Sequence, residues 1–167
     1  MFELKLLSKS AIPAALAQAE RYRLLNEPGE AESICLDVLR VDPEHQDALV
    51  TLVLALTDQF PLGSVARPMA AAEAAVARIC DEYRRLYYSG IIRERRGKAE
   101  LHSERPGTSR SVGEWLREAM SFYEHAEAIR PPGNDEAILR WNTCARIRMS
   151  LPASEPDIPE FHAVQSE

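Results

Sequence analysis

The chain has 167 residues, of which 46% are hydrophobic and 28% charged, and its formal net charge at pH 7 is −6. This composition is typical of one folded soluble domain and excludes a largely disordered chain. The negative charge argues against general nucleic-acid binding, and the longest apolar stretch, residues 48–56, is far shorter than the ~20 residues of a membrane span.

Residues 1–10 are predicted to be an N-terminal leader tucked against the first helix. Phe2, Leu4 and Leu6 alternate with polar residues, but the segment lacks the long apolar core and the cleavage site of a signal peptide. Ser10 is a plausible N-cap and Pro13 is tolerated in a first turn, so a helix is predicted from there to about Asn26.

The second helix is predicted over residues 29–43. Its apolar residues recur at spacings of three and four, so they share one face: Ala31, Ile34, Cys35, Val38 and Val41. Pro43 ends the helix, because proline disfavours helical geometry at the preceding residue.

A third helix is predicted from about Glu44 to Gln59. It is apolar on more than one face, which indicates a central position flanked on both sides. Residues 60–64 break it, and a fourth helix is predicted to start near Pro68. The boundary between the fourth and fifth helices stays open, because no glycine or proline separates Cys80 from Tyr83.

The fifth helix is predicted from about Asp81 and carries the most basic part of the chain. Nine Lys or Arg residues and four Glu residues lie between positions 83 and 117, and the run RERRGK occupies residues 93–98. Residues 97–113 are rich in Gly, Ser and Pro and are predicted to be a loop insertion, although part of them fits an extension of the fifth helix.

The sixth helix is predicted over residues 114–132 and repeats the pattern of the second. Ala119 and Pro131 are 12 residues apart, as are Ala31 and Pro43, and a bulky residue follows each alanine after four positions. A seventh helix begins at Asp135. Residues 151–167 hold three prolines and four acids without a basic residue, and are predicted to be an acidic, extended or disordered tail.

These helix pairs resemble the tetratricopeptide repeat, a helix–turn–helix unit of 34 residues with small residues, a tyrosine and a terminal proline at fixed positions. The resemblance covers about residues 11–150 as three degenerate repeats and a closing helix. The matching positions of the first repeat are Ala15, Gln18, Ala19, Tyr22, Ala31, Cys35 and Pro43. In the third repeat Leu86, Ser89, Gly90 and Arg93 match in part, and Ala119, Tyr123, Ala126 and Pro131 match well.

The resemblance implies an all-α fold of antiparallel helix pairs stacked as a short right-handed superhelical solenoid. It further implies a non-catalytic protein-interaction module that binds a peptide in a concave groove formed by the first helix of each pair. Arginines on those helices favour an acidic peptide, because guanidinium groups bind carboxylates bidentately. The predicted groove residues are Arg84, Tyr87, Ile91, Arg93, Arg140, Thr143 and Arg146.

Two alternative functions remain open at this point. One is a small cytosolic chaperone of the kind that serves secretion systems, and the other is an RNA or anion binder that uses the Arg-rich fifth helix. An enzyme, a cofactor and a metal are not expected, because the four histidines have no metal-ligand spacing and no phosphate-binding glycine loop is present. The three isolated cysteines predict reduced, buried thiols and a cytoplasmic protein.

Overall fold

The computed structural model describes residues 2–103 and 108–152, and it confirms the prediction of an all-α chain, since no strand occurs within those ranges. None of the helices in them combines the length and the apolar character needed to cross a membrane. The helices are α1 (Ile12–Leu24), α2 (Pro28–Val41), α3 (Gln46–Asp58), α4 (Ala66–Val76), α5 (Glu82–Leu101), α6 (Thr108–Ala128) and α7 (Glu136–Ser150), with 3-10 turns at Lys9–Ala11 and Phe60–Leu62. We call α1, α3, α5 and α7 the first helices and α2, α4 and α6 the second helices.

The turn between α1 and α2 and the end of α2 agree with the prediction, whereas the start of α1 does not. Asn26 takes a left-handed φ of 60° after α1, which asparagine tolerates, and Pro28 opens α2. Helix α2 ends before Pro43, as predicted. The prediction that Ser10 caps α1 is wrong, because Ser10 lies in the 3-10 turn and Ala11 precedes the helix without a side-chain cap.

The N-terminal residues are more exposed than a leader tucked against α1 would be. Phe2, Leu4 and Leu6 are exposed, and only Leu7 packs against the core. The carbonyl of Leu4 accepts a hydrogen bond from Arg40 of α2 at 3.4 Å, so the segment passes beside α2. The predicted tail lies outside the described residues from position 153 onward.

Helix α3 occupies the centre of the first half, as its all-round apolar sequence predicts. Nine of its thirteen residues are buried. Helix α4 and helix α5 are separate, because residues 77–81 form a turn and the carboxylate of Asp81 caps α5 by accepting from the backbone N–H of Arg84 at 2.7 Å.

The predicted loop insertion over residues 97–113 is wrong for most of its length. Residues 97–101 continue α5 and residues 108–113 begin α6, while residues 104–107 lie outside the described part of the chain. Gly97 allows the two helices to pack closely, since a Cβ there would lie 3.1 Å from the Cβ of Trp115. Helices α5 and α6 therefore reach 20 and 21 residues, whereas the other helices have 11 to 15.

Helices α5 and α7 both run opposite to α6. Gly90 of α5 packs against Tyr123, and Gly97, two turns later, packs against Trp115, so the α5–α6 pair is antiparallel. On the other side of α6, the indole of Trp141 donates to Glu124 at 2.9 Å, and Arg148 lies 4.0 Å from the sulfur of Met120. The C-terminal ends of α5 and α7 consequently lie at the same end of the molecule.

The buried side chains form two cores that meet where α5 packs against α3 and α4. Helices α1 to α4, together with Ile92 of α5, form the first core, and α5, α6 and α7 enclose the second. Leu54 and Tyr88 pack against both cores and join them. A cavity of about 350 Å³, which we call the junction cavity, lies between α4, α5 and α6, and Ile92 of the first core is among its lining residues.

One of the three thiols is expected to react readily in the native protein. Cys80 is exposed in the turn before α5, which corrects the prediction that it is buried, whereas Cys35 and Cys144 are fully buried. Burial raises the pKa of each buried thiol to about 12, so neither supplies a reactive thiolate near neutral pH. A disulfide reagent at about pH 8 should modify one thiol rapidly in the native chain and three in denaturant. Rapid reaction of a second thiol, or of any thiol in the C80S variant, would contradict this burial pattern.

Candidate functional site

A row of paired charges crosses the four first helices. Asp58 of α3 accepts from Nε of Arg23 of α1 at 2.8 Å and also pairs with Arg95 of α5. Glu94, the neighbour of Arg95 in the sequence, accepts from Arg140 of α7 at 3.3 Å. We call these five residues the charge line. Because each contact joins adjacent first helices, α1, α3, α5 and α7 share one surface of the molecule.

Two of the predicted groove residues, Arg84 and Arg140, join neighbouring first helices, and two more, Thr143 and Arg146, lie on α7. Arg84 pairs with Asp47 of α3 at 3.0 Å, and Arg140 belongs to the charge line. Thr143 is half-buried and its hydroxyl donates to the backbone carbonyl of Leu139, while Arg146 is exposed and makes no ion pair within the described residues. Of these three arginines, Arg146 is therefore the most exposed.

The other three predicted groove residues lie elsewhere. Ile91 is 1% exposed and Tyr87 is 9% exposed, so both side chains belong to the core of α5, α6 and α7. Arg93 pairs with Glu73 of α4 and lies 3.2 Å from Glu118 of α6, which places it among the second helices. The assignment of Ile91 and Arg93 to a groove on the first helices is therefore wrong, and Tyr87 approaches that surface only through its hydrogen bond with Arg140.

The basic run 93–98 is split between two faces of α5. Arg95 points toward α3, where it donates to the carbonyl of Leu54 at 3.1 Å and to the hydroxyl of Thr57 at 2.7 Å. Arg93 and Arg96 instead lie over the ring of Trp115 of α6, with guanidinium carbons 5.7 and 5.6 Å from its centroid. A helix turns about 100° per residue, so the run cannot form a single cationic patch.

Glu94 is the centre of a buried polar cluster that the sequence analysis missed. Its side chain is fully buried, accepts a hydrogen bond from the hydroxyl of Tyr123 at 2.6 Å, and pairs with Lys98 as well as Arg140. Burial, together with the charge and hydrogen bond of Glu94, raises the pKa of Tyr123 well above its usual value, so the phenol stays a donor.

Arg140, like Lys98, is a member of this cluster whose side chain is about one-third exposed. Burial lowers the pKa of Arg140, but its hydrogen bond with Tyr87 and the charge of Glu94 outweigh that effect and raise the pKa overall. The cluster thus fixes one cation at the boundary between the core and the shared surface of the first helices. Its one sequence signal is Glu94 itself, the single acid within the basic run.

Two adjoining cavities open where α1, α3 and α5 end. The first, which we call the basic cavity, has a volume of about 410 Å³, and the second, the end cleft, about 780 Å³. Both are lined by Pro61, Ala99 and His102, so the C-terminal turns of α5 form part of the wall between them. The basic cavity is completed by Arg23, Leu24, Asn26, Asp58, Arg95 and Lys98.

The chemistry of these surfaces suits carboxylate binding. Fixed guanidinium groups with spare N–H donors bind carboxylates through charge-assisted, often bidentate hydrogen bonds. Within the described residues, no group of three or more His, Cys, Asp or Glu side chains is placed to hold a metal ion. No protein-family model, no curated protein and no solved structure matches this chain.

Proposed function

We propose that the chain is a non-catalytic protein-interaction module that binds an acidic peptide segment along the shared surface of its first helices. In this proposal the helix pairs are degenerate tetratricopeptide repeats stacked as a short solenoid, and the first helices line its concave side. A cytoplasmic location remains a prediction from the sequence.

The charge line is the observation that carries the proposal. Its residues come from α1, α3, α5 and α7 alone, and it supports a layer of first helices backed by α2, α4 and α6. Packing within the chain agrees, since α1 contacts α3 and α3 contacts α5 in addition to their sequence neighbours. A layer of this kind presents half-buried polar and apolar side chains along an extended path, as a bound peptide requires.

The acidic character of the ligand follows from the α5–α7 side of this surface. Arg84 and Arg140 are partly exposed beyond their ion pairs, and Arg146 has no counter-ion among the described residues. An incoming carboxylate gains charge-assisted hydrogen bonds there without breaking the buried core.

Selection from a random peptide library is expected to enrich acidic sequences that bind this surface. The double variant Arg84→Glu, Arg146→Glu should bind the selected peptides about tenfold more weakly or worse, because two cations that face the ligand become anions. Fluorescence anisotropy with a labelled selected peptide measures the change. The control Arg117→Glu makes one such charge reversal, half of the total change, at an exposed position of α6 and should leave affinity within about twofold.

The outcome also separates the alternative functions. Equal binding by wild type, double variant and control would overturn the proposed surface. Enrichment of peptides without acidic residues would favour a chaperone that binds apolar clients. Stronger binding of an RNA oligomer than of any peptide would favour a nucleic-acid-binding function.

A further inference from the structure

The walls of the basic cavity contain more cationic than acidic side chains. Three cationic side chains line it, Arg23, Arg95 and Lys98, and Asp58 is the one carboxylate among its lining residues. The other acids that pair with these cations, Glu20 and the fully buried Glu94, are not part of the lining. The side chains that line the cavity are therefore net positive, while Glu20 and Glu94 pair with these cations from outside the lining.

The guanidinium groups of Arg23 and Arg95 are held in place by hydrogen bonds, and each retains N–H donors without a partner among the described residues. Arg95 makes all its hydrogen bonds through Nη1, to Leu54, Thr57 and Asp58, so Nε and Nη2 donate to no described group. Arg23 uses Nε for Asp58 and Nη1 for Glu20, which leaves Nη2. Donors fixed in this way lose little side-chain entropy when they bind a carboxylate.

The C-terminal segment 153–167 has the complementary chemistry. It contains four acids, Glu155, Asp157, Glu160 and Glu167, and no Lys or Arg. Ile158 and Phe161 lie among these acids, and the basic cavity offers apolar partners in Leu24, Pro61 and Ala99. Pro156 and Pro159 restrict the backbone and so lower the entropy cost of holding the segment in one conformation.

The segment also starts within reach of the cavity. Helix α7 ends at Ser150, at the same end of the molecule as α5, whose last turns form the cavity wall. Lys98 of the lining and Arg140 of α7 share the carboxylate of Glu94, and Ser150 lies about 15 Å along the helix from Arg140. Fifteen residues span up to about 50 Å when extended, which exceeds the distance across the neighbouring helices.

We propose that residues 153–167 of this chain dock in cis in the basic cavity, with their carboxylates on Arg23 and Arg95. A short tether raises the effective concentration of a segment to the order of millimolar, so even weak contacts keep it bound. The segment then occupies the α1–α3–α5 end of the molecule. This inference stands apart from the proposed external ligand, because it requires no second molecule.

Paramagnetic relaxation in the 167-residue chain tests the docking directly. A nitroxide is attached in the double variant Cys80→Ser, Val164→Cys, in which residue 164 carries the accessible thiol. Docking predicts that the amide signals of Leu24, Asn26 and Ala99 lose more than half their intensity, whereas Val76 and Phe122, at the junction cavity, keep theirs. Charge reversal by Glu155→Lys, Asp157→Lys and Glu160→Lys should restore the lost intensity, and these changes leave the sequences of α1 to α7 intact because they lie after residue 152.

Matched controls make each outcome decisive. The charge-conserving set Glu155→Asp, Asp157→Glu and Glu160→Asp should broaden the same signals as the parent. Uniform weak broadening, strongest broadening outside the basic cavity, or broadening that survives charge reversal would each overturn the proposal. A final sample mixes nitroxide-bearing chains without isotope label with isotope-labelled chains without nitroxide. If the signals are still broadened in this sample, the occupant of the cavity is a second copy of the chain, and docking in cis is overturned.

Discussion

Replacing Glu94 with alanine is expected to lower the free energy of unfolding by about 3 kcal/mol, measured by urea denaturation. Breaking a buried ion pair by removing one partner typically costs about 3–5 kcal/mol. The lower end applies because Lys98 and Arg140 are about one-third exposed and regain water when the carboxylate is lost. Most of the loss comes from Tyr123, whose fully buried hydroxyl is left without its acceptor.

Two further variants separate charge from hydrogen bonding. Glu94→Gln keeps an acceptor for Tyr123 and removes the charge, so it should lose about half as much stability as the alanine variant. Glu73→Ala removes an acid that is 45% exposed and leaves Arg93 its contact with Glu118, so it should cost less than about 1 kcal/mol. If Glu94→Ala and Glu73→Ala were equally mild, Glu94 would not organise the core of α5, α6 and α7.

The elements that sequence predicted well are those whose signals are local. Pro43 stops α2, and Ala31 and Cys35 are buried on its inner face, because proline sterics and helical spacing act within one helix. The interval 97–113 failed for the opposite reason. Gly97 is typical of a loop, yet it lies in α5 and lets Trp115 of α6 pack closely against that helix. Ser111 of α6 also donates a hydrogen bond to Glu100 of α5. Composition alone does not distinguish a packing glycine from a turn glycine.

The candidate site was predictable only as a region of the chain. The basic run indicates where cations are concentrated, but the phase of α5 and its neighbours decides which surface each cation reaches. Arg95 meets Asp58, 37 residues earlier, and Glu94 meets Arg140, 46 residues later. No local pattern encodes such contacts, so the sequence offered no reason to distinguish Glu94 from a solvent-exposed acid. The basic cavity escaped prediction because its wall lies in the residues expected to form a loop.

Gly90→Ala is expected to lower the free energy of unfolding by about 2 kcal/mol, although alanine is the better helix former. The helix propensity alone favours alanine by about 1 kcal/mol. A Cβ at this position would lie 2.5 Å from Cε1 of Tyr123, closer than side-chain carbons approach. The ring is fully buried and its hydroxyl is held by Glu94, so it has little freedom to move aside, and overpacking of this kind costs about 1–3 kcal/mol or more.

A double-mutant cycle with Tyr123→Leu assigns that cost to the ring. In the Tyr123→Leu background, Gly90→Ala should be neutral or stabilising, which gives a coupling energy of about 2–3 kcal/mol. Gly113→Ala in α6 is the matched control, because nothing lies within 4 Å of its Cβ, and it should stabilise the chain by up to about 1 kcal/mol. The cycle bears on the proposed repeat as well, since Gly90 and Tyr123 hold the small and bulky positions of the same helix pair. If Gly90→Ala were equally damaging with and without the tyrosine ring, the small residue would owe its place to something other than this packing, and the repeat register would lose its physical basis.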